Sequence, residues 1–254
     1  MLFKFWCFIQ SLLVATMRDL DFSSMVHSFR ANKTGRDFVV GDIHGQFDTL
    51  RTLMSQVQFD TDNDRLFAVG DLVDRGAQSE QVVDWLGKSW FHSVRGNHEQ
   101  MVIDCTVSGG DIGRHMRNGG EWFYKLSTFA QLKIVTALKA LPVAIELELS
   151  NGEQIGIIHA EVDDDWRDDV AALTGLRGEA AFMDAKKTAL YSRLKFQTQN
   201  KTIIKGMHKV FVGHTTVANV TEMGNTIYMD TGCSFPDGML SMVELCSGEI
   251  VTCT

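Results

Sequence analysis

The sequence predicts an α/β layered fold, a sheet or paired sheets flanked by helices, and three observations carry that prediction. From residue 37 onward, short apolar runs of strand length alternate with longer helix-like stretches. The C-terminal third is richer in strands than in helices. Glycine-bearing polar motifs stand directly after several of the strands, on the rim where an open α/β sheet gathers its ligands.

The elements follow in order. Asp37–Val40 is the first predicted strand, and Gln46–Gln56 continues as a helix with apolar residues at three- and four-residue intervals. Arg65–Val69 and Phe91–Val94 are the next strands, with a helix at Ser79–Leu86 between them. Leu126–Ala140 is a third helix, ended by Leu141–Pro142 because the residue before proline is driven out of the helical region. Val143–Leu149, Gln154–His159, Lys209–Val212, Thr226–Met229 and Met239–Leu245 complete the strands. There are no internal repeats or low-complexity segments, and only two prolines, so no linker divides the chain. A single domain over residues 31–254 is expected, preceded by an extension at residues 1–30.

With 254 residues, 44 % hydrophobic and 22 % charged, the chain can bury a sizeable core as an ordinary globular protein. The net charge of −8, with no basic block to offset it, argues against a nucleic-acid binder. The five cysteines are odd in number and contain no C-x-x-C pair, which excludes a disulfide framework and fits a reducing, cytoplasmic setting. The apolar run in residues 1–16 is short for a membrane span and lacks an A-x-A cleavage site. A signal, an anchor, an amphipathic appendage and an upstream start all fit it; the expectation is no membrane attachment. A monomer is expected.

What stands after the strands is the informative part. The first gives GDIHG (41–45), the second GDLVDRG (70–76), the third RGNHE (95–99), and later strands give HAE (159–161) and GH (213–214). Asp42, His44, Asp71, Asn97, His159 and His214 thus gather as oxygen and imidazole donors without a thiolate, a set suited to Mn²⁺, iron or Zn²⁺ rather than Ca²⁺. Six donors exceed what one such ion takes and suit two ions sharing a carboxylate. Asp42 and His44, two apart on an extended segment, face the same way and can grip one ion. Each motif alone also fits a capping or turn residue; five in series, each behind a strand, do not, because polar groups this dense need partners or metals. A cysteine-based phosphatase is excluded, because six residues after Cys105 stands Asp111 where the C-x₅-R pattern needs arginine.

GDIHG, GDLVDRG and RGNHE, with the later histidines, resemble the signature of the PPP-type metallophosphatases of the calcineurin-like metallophosphoesterase superfamily. The stretches VRGNHEQMVID (94–104), RNGGEWF (117–123) and YMDTG (228–232) extend the likeness to bacterial and phage lambda-type serine/threonine protein phosphatases. The resemblance implies the calcineurin-like fold of two packed mixed β-sheets flanked by helices. It implies two divalent ions, most simply Mn²⁺. Asp42, His44 and Asp71 would hold the first, and Asp71 would bridge to a second held by Asn97, His159 and His214. His98 would be the general acid and Asp74 its partner, while Arg75, Arg95 and, at a longer spacing, Arg193 would bind phosphate. A hydroxide shared by the ions would attack phosphorus directly, on phosphoprotein substrates.

Two other functions share the frame. A symmetrical bis(5'-nucleosyl)-tetraphosphatase usually has alanine where this chain has Asp74, and aspartate where it has Glu99, which favours the protein phosphatase. A non-catalytic metal-binding regulatory module would lack a ligand or the proton donor, and every one is present. His27, His92, His115 and His208 end no strand within a ligand motif and are expected to be surface or structural. Cys233 is expected to be a small filler near the rim, and the acidic run 161–169 a solvated loop.

Overall fold

A computed structural model describes residues 25–254; the apolar run at residues 1–16 lies outside the described residues. Two sheets pack face to face. The first holds β1 (Val26–Phe29), β5 (Ala144–Glu148), β6 (Gln154–Ile158), β7 (Lys209–Val212), β8 (Thr221–Met223) and β9 (Thr226–Tyr228), in the order β1-β5-β6-β7-β9-β8. The second holds β2 (Asp37–Val40), β3 (Arg65–Ala68), β4 (Phe91–Ser93), β10 (Leu240–Glu244) and β11 (Ile250–Cys253), in the order β11-β10-β2-β3-β4. Both mix parallel and antiparallel pairs.

The alternation of side chains along the strands explains the layering. Val39, Phe67, Ile155, Ile157 and Phe211 point between the sheets and form one buried cluster. Their neighbours Phe38, Val40, Leu66 and Ala68 face the other way, onto α1 (Phe47–Gln56), α2 (Val82–Leu86), α3 (Asn97–Val107) and α6 (Thr128–Lys139). Ile158, Val210 and Val212 face α7 (Trp166–Leu173) and α8 (Glu179–Tyr191) on the far side. The central strands are buried on both faces, which is why they read as continuous apolar runs rather than as alternation. Two short helices, α4 (Ile112–His115) and α5 (Glu121–Tyr124), flank a π-turn at Met116–Gly120, and α9 (Leu194–Gln197) follows α8.

Several elements differ from the sequence expectation. β1 lies in the segment assigned to the extension of residues 1–30, yet it pairs in parallel with β5 over Val26–Phe29, and Met25 is buried. The folded unit therefore begins no later than Met25, not at residue 31. The acidic run is not a solvated loop throughout: α7 starts within it, capped by the Asp165 carboxylate on Arg167 N, and Glu161 is buried against Ser192 and Phe196. Among the described residues, no helix is long and apolar enough to cross a membrane.

Candidate active site

β2, β3 and β4 run parallel, as do β6 and β7, so within each sheet the C-terminal ends of these strands share a rim. β2 ends two residues before Asp42, and β3 three residues before Asp71. β4 leads into α3, which opens on Asn97 and His98; β6 ends immediately before His159, and β7 two residues before His214. The two rims meet, and the site is built across them.

The backbone there is strained in a pattern that marks the site. Of the eight described non-glycine residues with positive φ, five are His44, Asp71, Asp74, Arg75 and His214. Hydrogen bonds hold them: His44 N donates to Asp71 O at 2.8 Å, Gly45 N to Leu72 O at 2.8 Å, Gly76 N to His44 O at 2.9 Å and Arg75 N to Gly119 O at 3.2 Å. Glu99, fully buried, accepts from Gly96 N, Asp71 N and Leu72 N at 2.7–2.9 Å and ties the second motif to the third. Sequence reasoning used Glu99 only to separate two families and missed this organising role.

Asp71 lies at the centre. Its Oδ2 is 3.7 Å from both His44 Nε2 and His98 Nε2, while its Oδ1 is 3.4 Å from His159 Nε2. It belongs to both groups of side chains able to hold an ion, one with His44 and His98, the other with His159 and His214. Burial would raise its carboxyl, but the surrounding imidazoles, of which only His98 is itself raised, and the bond from His98 N hold it well below the usual range. Asp42, buried and facing Asp230 and Asp71, is pushed well above the usual range; it accepts from His214 N at 3.1 Å.

The donor set fits cations. Burial holds His44 and His214 neutral, down at about 3, and lowers His159 as well. His44 Nδ1 lies 3.0 Å from Val73 O, His159 Nδ1 2.8 Å from Val69 O, and His214 Nε2 3.2 Å from Tyr191 O. These carbonyls take the single proton of each ring, so the opposite nitrogen presents a lone pair. For His159 the consequence is sharp: Nε2 faces Asn97 Oδ1 at 2.8 Å and Asp71 Oδ1 at 3.4 Å, three acceptors converging on one point. A cation satisfies that arrangement and a hydrogen bond does not.

His98 falls within the first of those groups, but its Nδ1 is turned to Asp74 Oδ2 at 2.7 Å. Burial lowers the affinity of His98 for its proton, but Asp71 and Asp74 outweigh it and raise the imidazole above its ordinary value. Asp74 is fully buried, which alone would raise it; hydrogen bonds from His115 and His98 hold it below its ordinary value. Asp42, His44, Asp71, Asn97, His98 and His214 line one cavity of about 390 Å³, together with Arg75 and Arg193. Arg75 reaches His98 Nε2 at 3.3 Å and lies over Phe235, and Arg193 donates to His214 O at 2.9 Å.

Arg95 departs from the expectation. Its guanidinium donates to Lys139 O at 2.7 Å, Leu141 O at 2.9 Å and Gln100 Oε1 at 3.2 Å, buried at the C-terminus of α6 and away from the cavity lining. The orphan carbonyls of a helix end attract a guanidinium, and here they claim the fork that the sequence assigned to phosphate. Arg114, unmarked by any motif, lines the cavity instead, with its guanidinium 5.7 Å over the Tyr191 ring. Cys233 donates its thiol to Asp42 O and packs beside the core, as a filler near the rim.

Fold and site define a phosphoesterase, and the chain belongs to the calcineurin-like phosphoesterases, whose family model matches residues 38–217. These hydrolases use a dimetal centre, and the two ligand groups sharing Asp71 are its candidate counterpart. The chain is 33 % identical to serine/threonine-protein phosphatase 2 of Salmonella typhimurium over 82 % of this chain and 92 % of the relative. It is 31 % identical to a symmetrical bis(5'-nucleosyl)-tetraphosphatase of Pasteurella multocida, over 51 % of this chain and 45 % of the relative. A crystal structure of a protein proposed to be a diadenosine tetraphosphatase superposes with a TM-score of 0.62 at 24 % identity, covering 90 % of this chain and 96 % of that one.

Proposed function

We propose that the protein is a metal-dependent protein-serine/threonine phosphatase, acting in the cytoplasm on phosphoprotein substrates. The observation that carries the reading is the buried Asp74–His98 pair, 2.7 Å apart, at the edge of a cavity that also holds Arg75. Two divalent cations, Mn²⁺ first and iron or zinc as alternatives, would supply hydroxide from water near neutral pH and draw charge from the phosphate oxygens. Asp42, His44 and Asp71 would hold one cation, and Asp71, Asn97, His159 and His214 the other. Arg75 and Arg193, with Arg114 at the rim, offer donor forks to the phosphoryl oxygens. Asp74 orients the His98 ring and favours its charged form, so that Nε2 would carry a proton to the departing oxygen once Arg75, which reaches it at 3.3 Å, turns to the phosphate.

The proton donor separates this reading from its rival. A seryl or threonyl alkoxide leaves poorly without a proton, whereas a nucleoside polyphosphate leaves readily as an anion. His98→Asn is therefore expected to lower turnover of a phosphoserine peptide roughly 10²–10⁴-fold and that of para-nitrophenyl phosphate far less. The comparison is made on the chemical step at matched metal content. Equal losses on both substrates would remove His98 as proton donor. A wild-type kcat/KM on diadenosine tetraphosphate well above that on the peptide would select the tetraphosphatase instead.

A further inference from the structure

The RNGG run and the histidine before it have no role in the reaction as described, yet they close around Asp74. His115 is fully buried, and its Nε2 lies 3.1 Å from both carboxylate oxygens of Asp74. Its Nδ1 lies 2.8 Å from the Tyr124 hydroxyl. With the hydroxyl donating to Nδ1, the ring proton sits on Nε2 and is aimed at the carboxylate. Trp122 Nε1 donates to Asp74 Oδ1 at 2.7 Å. Asp74 is thus gripped on one side by His115 and Trp122 and on the other by His98.

The glycines make this arrangement possible. Gly119, at φ 95°, gives its carbonyl to Arg75 N and pins the strained Asp74–Arg75 turn to the π-turn. A Cβ on Gly120 would lie 2.2 Å from His115 Nε2, so only glycine leaves room for the ring. The run is a seat for His115.

We infer that His115 is a positioning residue for proton donation: through Nε2 it fixes the Asp74 carboxylate, and through Asp74 the His98 ring, in the orientation that meets the leaving oxygen. This rests on the proton-donor reading of His98. A donor that must be aimed within a few tenths of an ångström depends on the shell behind it.

The test compares His115→Met, of similar length but without an N–H, with His115→Gln, whose amide N–H reaches the same way. Both are assayed for kcat on a phosphoserine peptide and on para-nitrophenyl phosphate, with metal content and melting temperature recorded. His115→Met should lose roughly tenfold on the peptide and less than about twofold on the aryl ester, and His115→Gln should recover most of the peptide loss. Equal losses on both substrates, or no recovery with glutamine, would overturn the inference and leave His115 a packing residue. Should His115→Met fail to fold, Tyr124→Phe removes the hydroxyl that sets the ring proton. It should bias the two substrates the same way by about threefold, and absence of that bias also overturns the inference. His98→Asn run alongside keeps the two readings apart. A bias there without one at position 115 sinks only the positioning role, and no bias at His98 sinks the proton donor itself.

Discussion

The carbon that a Gly213→Ala substitution adds would fall 2.0 Å from Asp42 Oδ1 and 2.7 Å from Val69 Cγ2. Ordinary contact begins well beyond 3 Å, so the Asp42 carboxylate must retreat by more than about 1 Å. That exceeds the roughly 0.5 Å within which a functional constellation has to be held. It also breaks the bonds that His214 N makes to both Asp42 oxygens. Overpacking at a buried position costs about 1–3 kcal/mol, a fall of about 2–12 °C in melting temperature for a chain of this size. The larger effect should be on metal: displacing one ligand and the amide that orients it should weaken binding of the first Mn²⁺ at least 10–100-fold. Equilibrium dialysis against graded Mn²⁺, read beside a thermal melt, measures both. Gly87→Ala is the control, because its added carbon meets nothing nearer than 3.4 Å. A Gly213→Ala protein that binds two ions as tightly as wild type would refute Asp42 as a ligand, whatever its stability.

Asp71→Asn should weaken both ions together, since Asp71 belongs to both ligand groups; metal analysis that still finds two tightly held ions would remove it from the shared position. Arg75→Ala should raise KM on peptide and aryl ester alike. Arg95→Lys should lower the melting temperature by several degrees, about 1–3 kcal/mol for lost bonds to the Lys139 and Leu141 carbonyls, with KM little changed. Away from the site, burial and the neighbouring Asp163 carboxylate push Asp169 up to about 7. A carboxyl raised in the folded chain adds stability that is complete below about pH 4 and lost as pH rises through about 7. Asp169→Asn, which still accepts from Asp163 N, should gain about 1–2 kcal/mol on wild type between about pH 5 and pH 8, after allowance for solvent screening. Paired melts across that range check it, and parallel curves for the two proteins would refute it.

What the sequence revealed and what it hid have the same cause. The candidate ligands were legible because each follows a buried strand, where local pattern and chemistry coincide: GDIHG after β2, GDLVDRG after β3, GH after β7. β1 escaped notice because VHSF is half polar and becomes a strand only by pairing with β5, more than a hundred residues away. The helical course of RGNHE was hidden too: its N-terminus is set by Glu99 reaching back to Gly96 N, a capping contact rather than an apolar period. Arg95 and His115 show the limit most plainly. A motif fixed the identity of Arg95 but not the direction of its fork, which tertiary packing decided. His115 follows no strand, and only the glycine at 120 hinted that something large needed the space.

The proposed ligands divide between the sheets, with Asp42, His44, Asp71 and Asn97 carried by one and His159 and His214 by the other. The layer of Val39, Phe67, Ile157 and Phe211, with the bonds from His159 Nδ1 to Val69 O and from His214 N to Asp42, sets the spacing between them. The seam therefore acts as a gauge: a slip of one sheet over the other by a fraction of an ångström would arrive at Asp71 as a change in the gap two ions would fill. Two bound ions would in turn clamp that seam from its end, as a rivet holds two plates. Evolution of this interior is thus not free to trade one apolar residue for another on volume alone, because the interior layer doubles as the part of the enzyme that keeps its two halves in register.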